Sequence, residues 1–204
     1  MAIDPYLLLL LVACLYVLVF GGFGFARREG VSIQLVVEVI AVTAILACGG
    51  WLLGIEVNPF LFLAILYLVT LRSRLIIEAA NILARRGSYR AAFRLYDLAQ
   101  SVRPDAASRL IVLANRGAAE LYSGQIEVAI ETLTRALRHD RGPGLGIKYE
   151  AATHYNLGYA YEKAGNGARA VAEYNAAIDL FPGSPYAQAA EAALRRRRKH
   201  ALQE

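Results

Sequence analysis

The chain has 204 residues, 57% of them hydrophobic and only 19% charged, with a net charge of +5. That apolar excess excludes an ordinary soluble domain, and it is unevenly spread. Residues 1–71 hold two arginines (Arg27, Arg28) against four carboxylates (Asp4, Glu29, Glu38, Glu56), a net −2, which leaves +7 for residues 72–204. Such a break marks two environments, bilayer and water; the positive part suits solubility or an acidic partner and does not by itself point to nucleic acid.

The first part reads as three membrane passes. Apolar runs cover about residues 6–25, 31–53 and 57–71, and a spanning helix takes about 20 residues. The third run is short and is expected to continue to about residue 74, with Arg72 and Arg74 snorkelling to the headgroups. Gly54 to Pro59 supplies a tight turn between the second and third passes. Leu11-Val12-Ala13-Cys14 looks like a lipoprotein cleavage box. The residues before it include Asp4 and no Lys or Arg, however, and the apolar run continues past the cysteine, so no cleaved leader is expected. The two cysteines, Cys14 and Cys48, both lie in these runs. No disulfide framework supports the second part, as fits a reducing compartment.

Arginine placement orients the passes. Arg27 and Arg28 occupy the first loop, the second loop has Glu56 and no basic residue, and Arg72, Arg74, Arg85, Arg86 and Arg90 follow the third run. Positive-inside counting puts the N-terminus outside and residues from 72 onward in the cytoplasm, as in a bacterial inner-membrane protein. A third run that re-enters instead of crossing reverses the side of the second part. Glu38, inside the second run with Gln34 one turn earlier, is costly in lipid and is expected to face another helix. With no second intramembrane charge, a polar helix contact is expected there and not an ion relay. Gly21, Gly22 and Gly24 suit close packing or a kink, and Phe20, Phe23 and Phe25 could face lipid, a pigment or a neighbouring subunit.

After residue 72 the sequence repeats itself. Residues 151–184 carry Leu157-Gly158, Tyr161, Gly165, Ala170, Tyr174, Ala177 and Pro182. In the same register, residues 110–143 place Gly117, Gly124, Ala129, Leu133 and Ala136. Residues 73–106 place Ala80, Gly87, Ala92, Tyr96, Ala99 and Pro104. The copies start 37 and then 41 residues apart, the surplus falling between copies, notably at Gly142-Pro143-Gly144-Leu145-Gly146. The pattern resembles the tetratricopeptide repeat, closely in the last copy, where His154 replaces the usual large aromatic near the start.

That resemblance implies stacked helix pairs. Small residues let helices approach, a large one (Tyr96, Leu133 or Tyr174) fills the space between them, a glycine ends the first helix and a proline stops the second. Ser184-Pro185 opens a further helix whose apolar side, Ala187, Ala190 and Leu194, resembles the cap such arrays carry. The expected fold is all-α: a membrane domain (1–72), a three-repeat solenoid (73–184), and a capping helix with a basic tail (185–204). No Gly or Pro interrupts residues 60–86, so the third pass is expected to run directly into the first repeat helix.

In that family the first helices of the repeats line a concave binding groove. Carried over, the groove holds Ile77, Glu78, Asn81 and Arg85, then Asn115, Ala118, Leu121 and Tyr122, then Tyr155, Asn156, Tyr159, Glu162 and Lys163. Asparagines can pair with an extended peptide backbone, and tyrosines give rigid amphipathic contact. Members that clamp chaperone C-termini use two asparagines, matched by Asn81 and Asn115. Their basic positions fall on Ile77, Ala152 and Asn156 here, so that specificity is not expected. The run Arg195 to Lys199 is expected to be a solvated helix end.

Catalytic signatures are missing. His139, His154 and His200 are scattered, Gly142 to Gly146 lacks the Lys-Ser/Thr of a phosphate loop, and no metal-ligand spacing occurs. No enzyme, cofactor or nucleic-acid partner is expected. The expected partners are proteins and the bilayer: the chain is an accessory or assembly subunit of a membrane complex, or alternatively a free membrane-tethered adaptor for soluble clients.

Overall fold

The computed structural model describes residues 4–26, 32–138 and 144–201, and every regular element among them is a helix. In chain order these are α1 (Pro5–Ala26), α2 (Ile33–Leu53), α3 (Pro59–Thr70), α4 (Arg72–Arg85) and α5 (Tyr89–Ser101). Then come α6 (Ala106–Tyr122), α7 (Ile126–Leu137), α8 (Ile147–Lys163), α9 (Gly167–Leu180) and α10 (Pro185–Ala201). Arg27 and Arg28 of the first loop, His139, the Gly142-Pro143 pair and residues 202–204 lie outside the described residues.

Short polar side chains set the starts of the apolar helices. Asp4 Oδ1 accepts from the N–H groups of Tyr6 and Leu7 (2.9 and 3.1 Å), and Ser32 Oγ from Leu35 (3.2 Å). Asn58 Oδ1 accepts from Phe60 and Leu61 (2.9 and 3.3 Å), with Pro59 fitting the first helical position, where no N–H is needed. The three helices pack around Leu9, Ala13, Tyr16, Val39, Phe62 and Leu66. Their outer faces are apolar as well: Leu15, Leu18, Ile40, Ile45, Leu61 and Leu68 are all exposed. An exposed apolar belt around an apolar core is the reverse of a water-soluble bundle. α1 and α2 are each long and apolar enough to cross a membrane, whereas α3 passes that test only together with α4, as a pair bent by 66°.

That bend corrects one expectation, the straight run into the first repeat helix. α3 has 12 residues, about 18 Å at 1.5 Å per residue. No Gly or Pro lies at the break at Leu71, and two side chains take main-chain carbonyls there. Thr70 Oγ1 donates to Leu66 O (2.7 Å), the back-bonding that bends helices. The Arg72 guanidinium takes the carbonyl of Val69, which a continuing helix would have given to a main-chain N–H.

Helices α4 to α9 form three antiparallel hairpins, and α10 covers the last. Each hairpin turns at a glycine in the left-handed region: Gly87 (φ 77°), Gly124 (φ 88°) and Gly165 (φ 75°). The repeated small residues Ala92, Ala99, Ala129, Ala136, Ala170 and Ala177 are fully buried, as are Tyr96, Leu133 and Tyr174 between the helices. Gly117 and Gly158 mark where the paired helices come closest. A Cβ on Gly117 would sit 2.7 Å from Leu133 Cγ, and one on Gly158 2.8 Å from Tyr174 Cδ1. Ser184 caps α10 by accepting from the Ala187 N–H (3.1 Å), and Ala187, Ala190 and Ala193 seal its contact with the last repeat.

Candidate functional site

Two places concentrate polar side chains on apolar scaffolding: the junction between bundle and solenoid, and the groove inside the solenoid. At the junction, Glu38 on the second turn of α2 meets Arg72 at the start of α4. Arg72 Nη1 donates to Glu38 Oε2 and Nη2 to Oε1, both at 2.8 Å, a bidentate pair. Its Nε donates to Val102 O (2.8 Å), Nη2 also to Arg103 O (2.9 Å), and Nη1 also to Val69 O. All five N–H donors of the guanidinium are therefore used. Gln34 completes the set, with Nε2 donating to Glu38 Oε1 and to Arg103 O, both at 2.7 Å.

One arginine thus ties together α2, the end of α3 and the loop between α5 and α6. Gln34 and Glu38, for which a polar helix contact is expected, lie against Arg72 at the start of α4 and the Arg103 carbonyl. Arg72 does not snorkel outward; it turns inward onto the carboxylate. The turn carbonyls that receive it come from 30 and 31 residues further along the chain, beyond the reach of local sequence reading. Arg103 pays for this with a left-handed backbone (φ 52°), which presents its carbonyl to both donors. Nearby, the Tyr16 hydroxyl and Thr70 Oγ1 are hydrogen-bonded at 2.6 Å, and the Phe20 and Tyr67 rings meet edge-on at 6.4 Å.

Inside the solenoid, Asn81, Arg85, Asn115, Ala118 and Tyr122 line one cavity of about 370 Å³. The Tyr96 hydroxyl donates to Asn81 Oδ1 (2.7 Å), which orients the amide and leaves its N–H groups to offer a ligand carbonyl. Asn115 Nδ2 donates to Ile111 O (2.8 Å), so part of its capacity is spent on its own helix. Tyr122 is 57% exposed and faces Tyr159 at 6.5 Å; Lys163 lies over the Tyr159 ring at 5.3 Å. Tyr155 stands between Tyr174 and Tyr186, at 5.9 and 6.5 Å. Burial raises the pKa of the Tyr122 and Tyr155 hydroxyls. Asn156 is half-buried on α8, and Glu78 is exposed on α4 and lines the junction crevice, not the groove cavity.

Some expected groove residues do not face it. Ile77 is 1% exposed and packs with Ala80, Tyr96 and Ile111, because its helix has a second hairpin to bury against on that side. Leu121 is likewise core, beside Ala129 and Ala160. Glu162 is committed internally: the Tyr174 hydroxyl donates to it at 2.6 Å and Arg197 Nη1 lies 4.0 Å away. Arg195, Arg196, Arg198 and Lys199 of the basic run are exposed, as expected of a solvated helix end, and Arg197 alone of the five is half-buried, its guanidinium lying over Gly167. Sequence reasoning missed Tyr89, Ala84 and Ala119 in the cavity wall and Tyr186 on α10. The rule used was one of first-helix positions, and Tyr89 and Tyr186 sit on helices it does not cover. No cluster that could hold a metal ion occurs among the described residues.

Residues 114–185 match the family model described as tetratricopeptide repeat, a stretch that covers most of α6 and all of α7 to α9. No curated protein matches the chain.

Proposed function

We propose that this chain, which carries tetratricopeptide repeats, is an integral membrane scaffold that serves as an accessory or assembly subunit of a larger membrane complex. Its three N-terminal helices lie in the bilayer, its repeats stand in the cytoplasm, and the groove from Asn81 to Lys163 grips a protein partner.

The observation that carries this reading is the lock at Arg72. An adaptor that fishes for soluble clients gains reach from a flexible tether. Here Leu71 alone separates α3 from α4, and the Arg72 bonds to Glu38, Val102 and Arg103 hold the solenoid at one angle to the bundle. A fixed angle suits a partner that is itself fixed in the same membrane. Exposed Tyr122 and the amide of Asn81 supply the kind of contact that recognises a peptide segment.

The positions of the two ends of α3 support one topology. Its entry lies by the end of α2, where the Ile55 carbonyl and Val57 crowd Gly50; its exit lies by Phe20, Thr70 and Glu38, towards the opposite end of the bundle. That supports a third pass that crosses, which puts the repeats on the side of the Arg27-Arg28 loop. Protease added to sealed inside-out vesicles is expected to remove the repeats, and protease added to right-side-out vesicles to leave them intact. The reverse pattern would refute the orientation.

A further inference from the structure

The two ends of the solenoid differ. α10 seals the last hairpin through Ala187, Ala190 and Ala193, whereas the first hairpin keeps an open stripe. In α6, Val112, Arg116 and Ala119 stand at i, i+4 and i+7, one face of the helix, and pack back on the preceding hairpin. Val112 and Ala119 share a core with Ala92 and Tyr96 of α5, and Arg116 pairs with Asp97 and lies over the Phe93 ring. In α8 the same stripe is Thr153, Leu157 and Ala160, all buried, with Ala160 against Leu121 and Ala129. α4 carries the stripe as Leu75, Ala79 and Ile82, but no hairpin precedes it. Leu75 is 39% and Ile82 43% exposed, and Ala79 is exposed too. Helical arrays cover such an end with a polar-faced capping element, and this stripe is apolar.

We propose that the headgroup layer of the bilayer covers this end, so that α4 lies along the membrane surface as an interfacial helix and the repeats stack away from it. The direction of α4 carries the proposal. Leu71 alone separates it from α3, and the two helices are bent by 66°. With α3 upright, α4 then climbs about 6 Å between Arg72 and Ile82, at about 1.5 Å per residue. The headgroup layer is about 5–7 Å deep on each side of the bilayer. The stripe also faces the right way. Its first residue, Leu75, lines the crevice opposite Phe20 and Ile33 of the bundle, and Ala79 and Ile82 extend the same face beyond the crevice. Apolar side chains on such a helix enter the boundary between headgroups and acyl chains.

Charge on the first hairpin agrees. Glu78 stands beside the stripe at the crevice. From there to the end of α5, residues 79–101 hold Arg85, Arg86, Arg90 and Arg94, all exposed, and one carboxylate, Asp97, which pairs with Arg116. In the second hairpin the places of Arg90 and Arg94 are taken by Glu127 and Glu131. The basic hairpin is thus the one next to the membrane, where an anionic leaflet attracts arginine, and the acidic positions come one layer further out.

This inference rests on the bilayer placement above, and the chain's single tryptophan, Trp51, separates the two in one experiment. Trp51 is 71% exposed at the end of α2. The full chain is reconstituted in vesicles of phosphatidylglycerol and phosphatidylcholine whose acyl chains are brominated near the headgroup, and tryptophan quenching is read against iodide in the water. Ile82→Trp and, as the control on the second hairpin, Val128→Trp (Val128 is 46% exposed) are each made with Trp51→Phe. The Ile82 probe is expected to emit further to the blue and to be quenched by bromolipid about as strongly as Trp51, and several times more than the Val128 probe. Iodide should quench the Val128 probe alone. Ala79→Trp should repeat the Ile82 result and decides the matter if Ile82→Trp does not fold. A stripe probe quenched by iodide as readily as the Val128 probe would overturn the proposal. So would one shielded from both quenchers, which would mean that a second copy or another protein covers the stripe. Trp51 that bromolipid does not quench would instead refute the bilayer placement, and this inference with it.

Discussion

Glu38 and Arg72 are joined by two parallel hydrogen bonds of 2.8 Å across 34 residues of sequence, one end on a membrane-type helix and the other on the first repeat helix. Removing either partner leaves the other charge at the edge of an apolar bundle. Arg72→Ala is expected to cost about 2–4 kcal/mol, somewhat below the value for a fully buried pair, because the side chains are 29% and 19% exposed. Arg72→Lys should recover little, since an ammonium has three donors where five are used. Thermal melts in detergent, with limited proteolysis at the α3–α4 junction, should show repeats that unfold separately and a junction that is cut faster. A variant as stable and as protected as the wild type would mean the pair does not couple the two parts.

Gly117→Ala and Gly158→Ala test the packing of the hairpins. In an open helix, Gly→Ala stabilises by about 1 kcal/mol. Here the added methyl meets Leu133 and Tyr174 at 2.7 and 2.8 Å, and overpacking costs about 1–3 kcal/mol. Both substitutions are expected to lower the unfolding temperature, and Gly117→Ala combined with Leu133→Ala should cost less than the sum of the two. A gain in stability from either single change would refute the close approach.

The repeats should lose stability at high pH. Burial pushes the Tyr96 hydroxyl from 10.0 up to about 12. Above pH 10 the unfolded chain releases this proton while the folded chain still holds it, so the unfolded state binds fewer protons and stability falls as pH rises. The loss should run from about pH 10 to about pH 12 and be smaller in Tyr96→Phe. At neutral pH that variant costs about 1 kcal/mol, for the bond to Asn81. Helicity and phenolate absorbance followed together across this range provide the check.

Much of this architecture can be read from local residues, and the reason is geometric. The turn glycines at 87, 124 and 165 and the buried pairs such as Gly158 with Tyr174 recur because each hairpin must satisfy the same sterics at the same spacing. The bend at Leu71 is different. It coincides with Arg72 turning to the Glu38 carboxylate and the Val102 and Arg103 carbonyls, contacts that no local pattern announces. Groove residues fall between these cases. Asn81, Asn115 and Tyr122, chosen by position rules, line one cavity, whereas Ile77 is buried in the core, because such rules do not register which neighbour covers each face.

Purification in mild detergent, with mass spectrometry of the co-eluting chains, tests the scaffold reading most directly. It is run on the wild type, on Asn81→Ala with Tyr122→Ala, and on Arg72→Ala. The account predicts that defined membrane proteins co-elute with the wild type, are depleted about tenfold or more by the groove pair, at about 1–2 kcal/mol per lost anchor, and are weakened by Arg72→Ala. A wild-type chain that elutes alone, or membrane partners retained equally by all three forms, would contradict it.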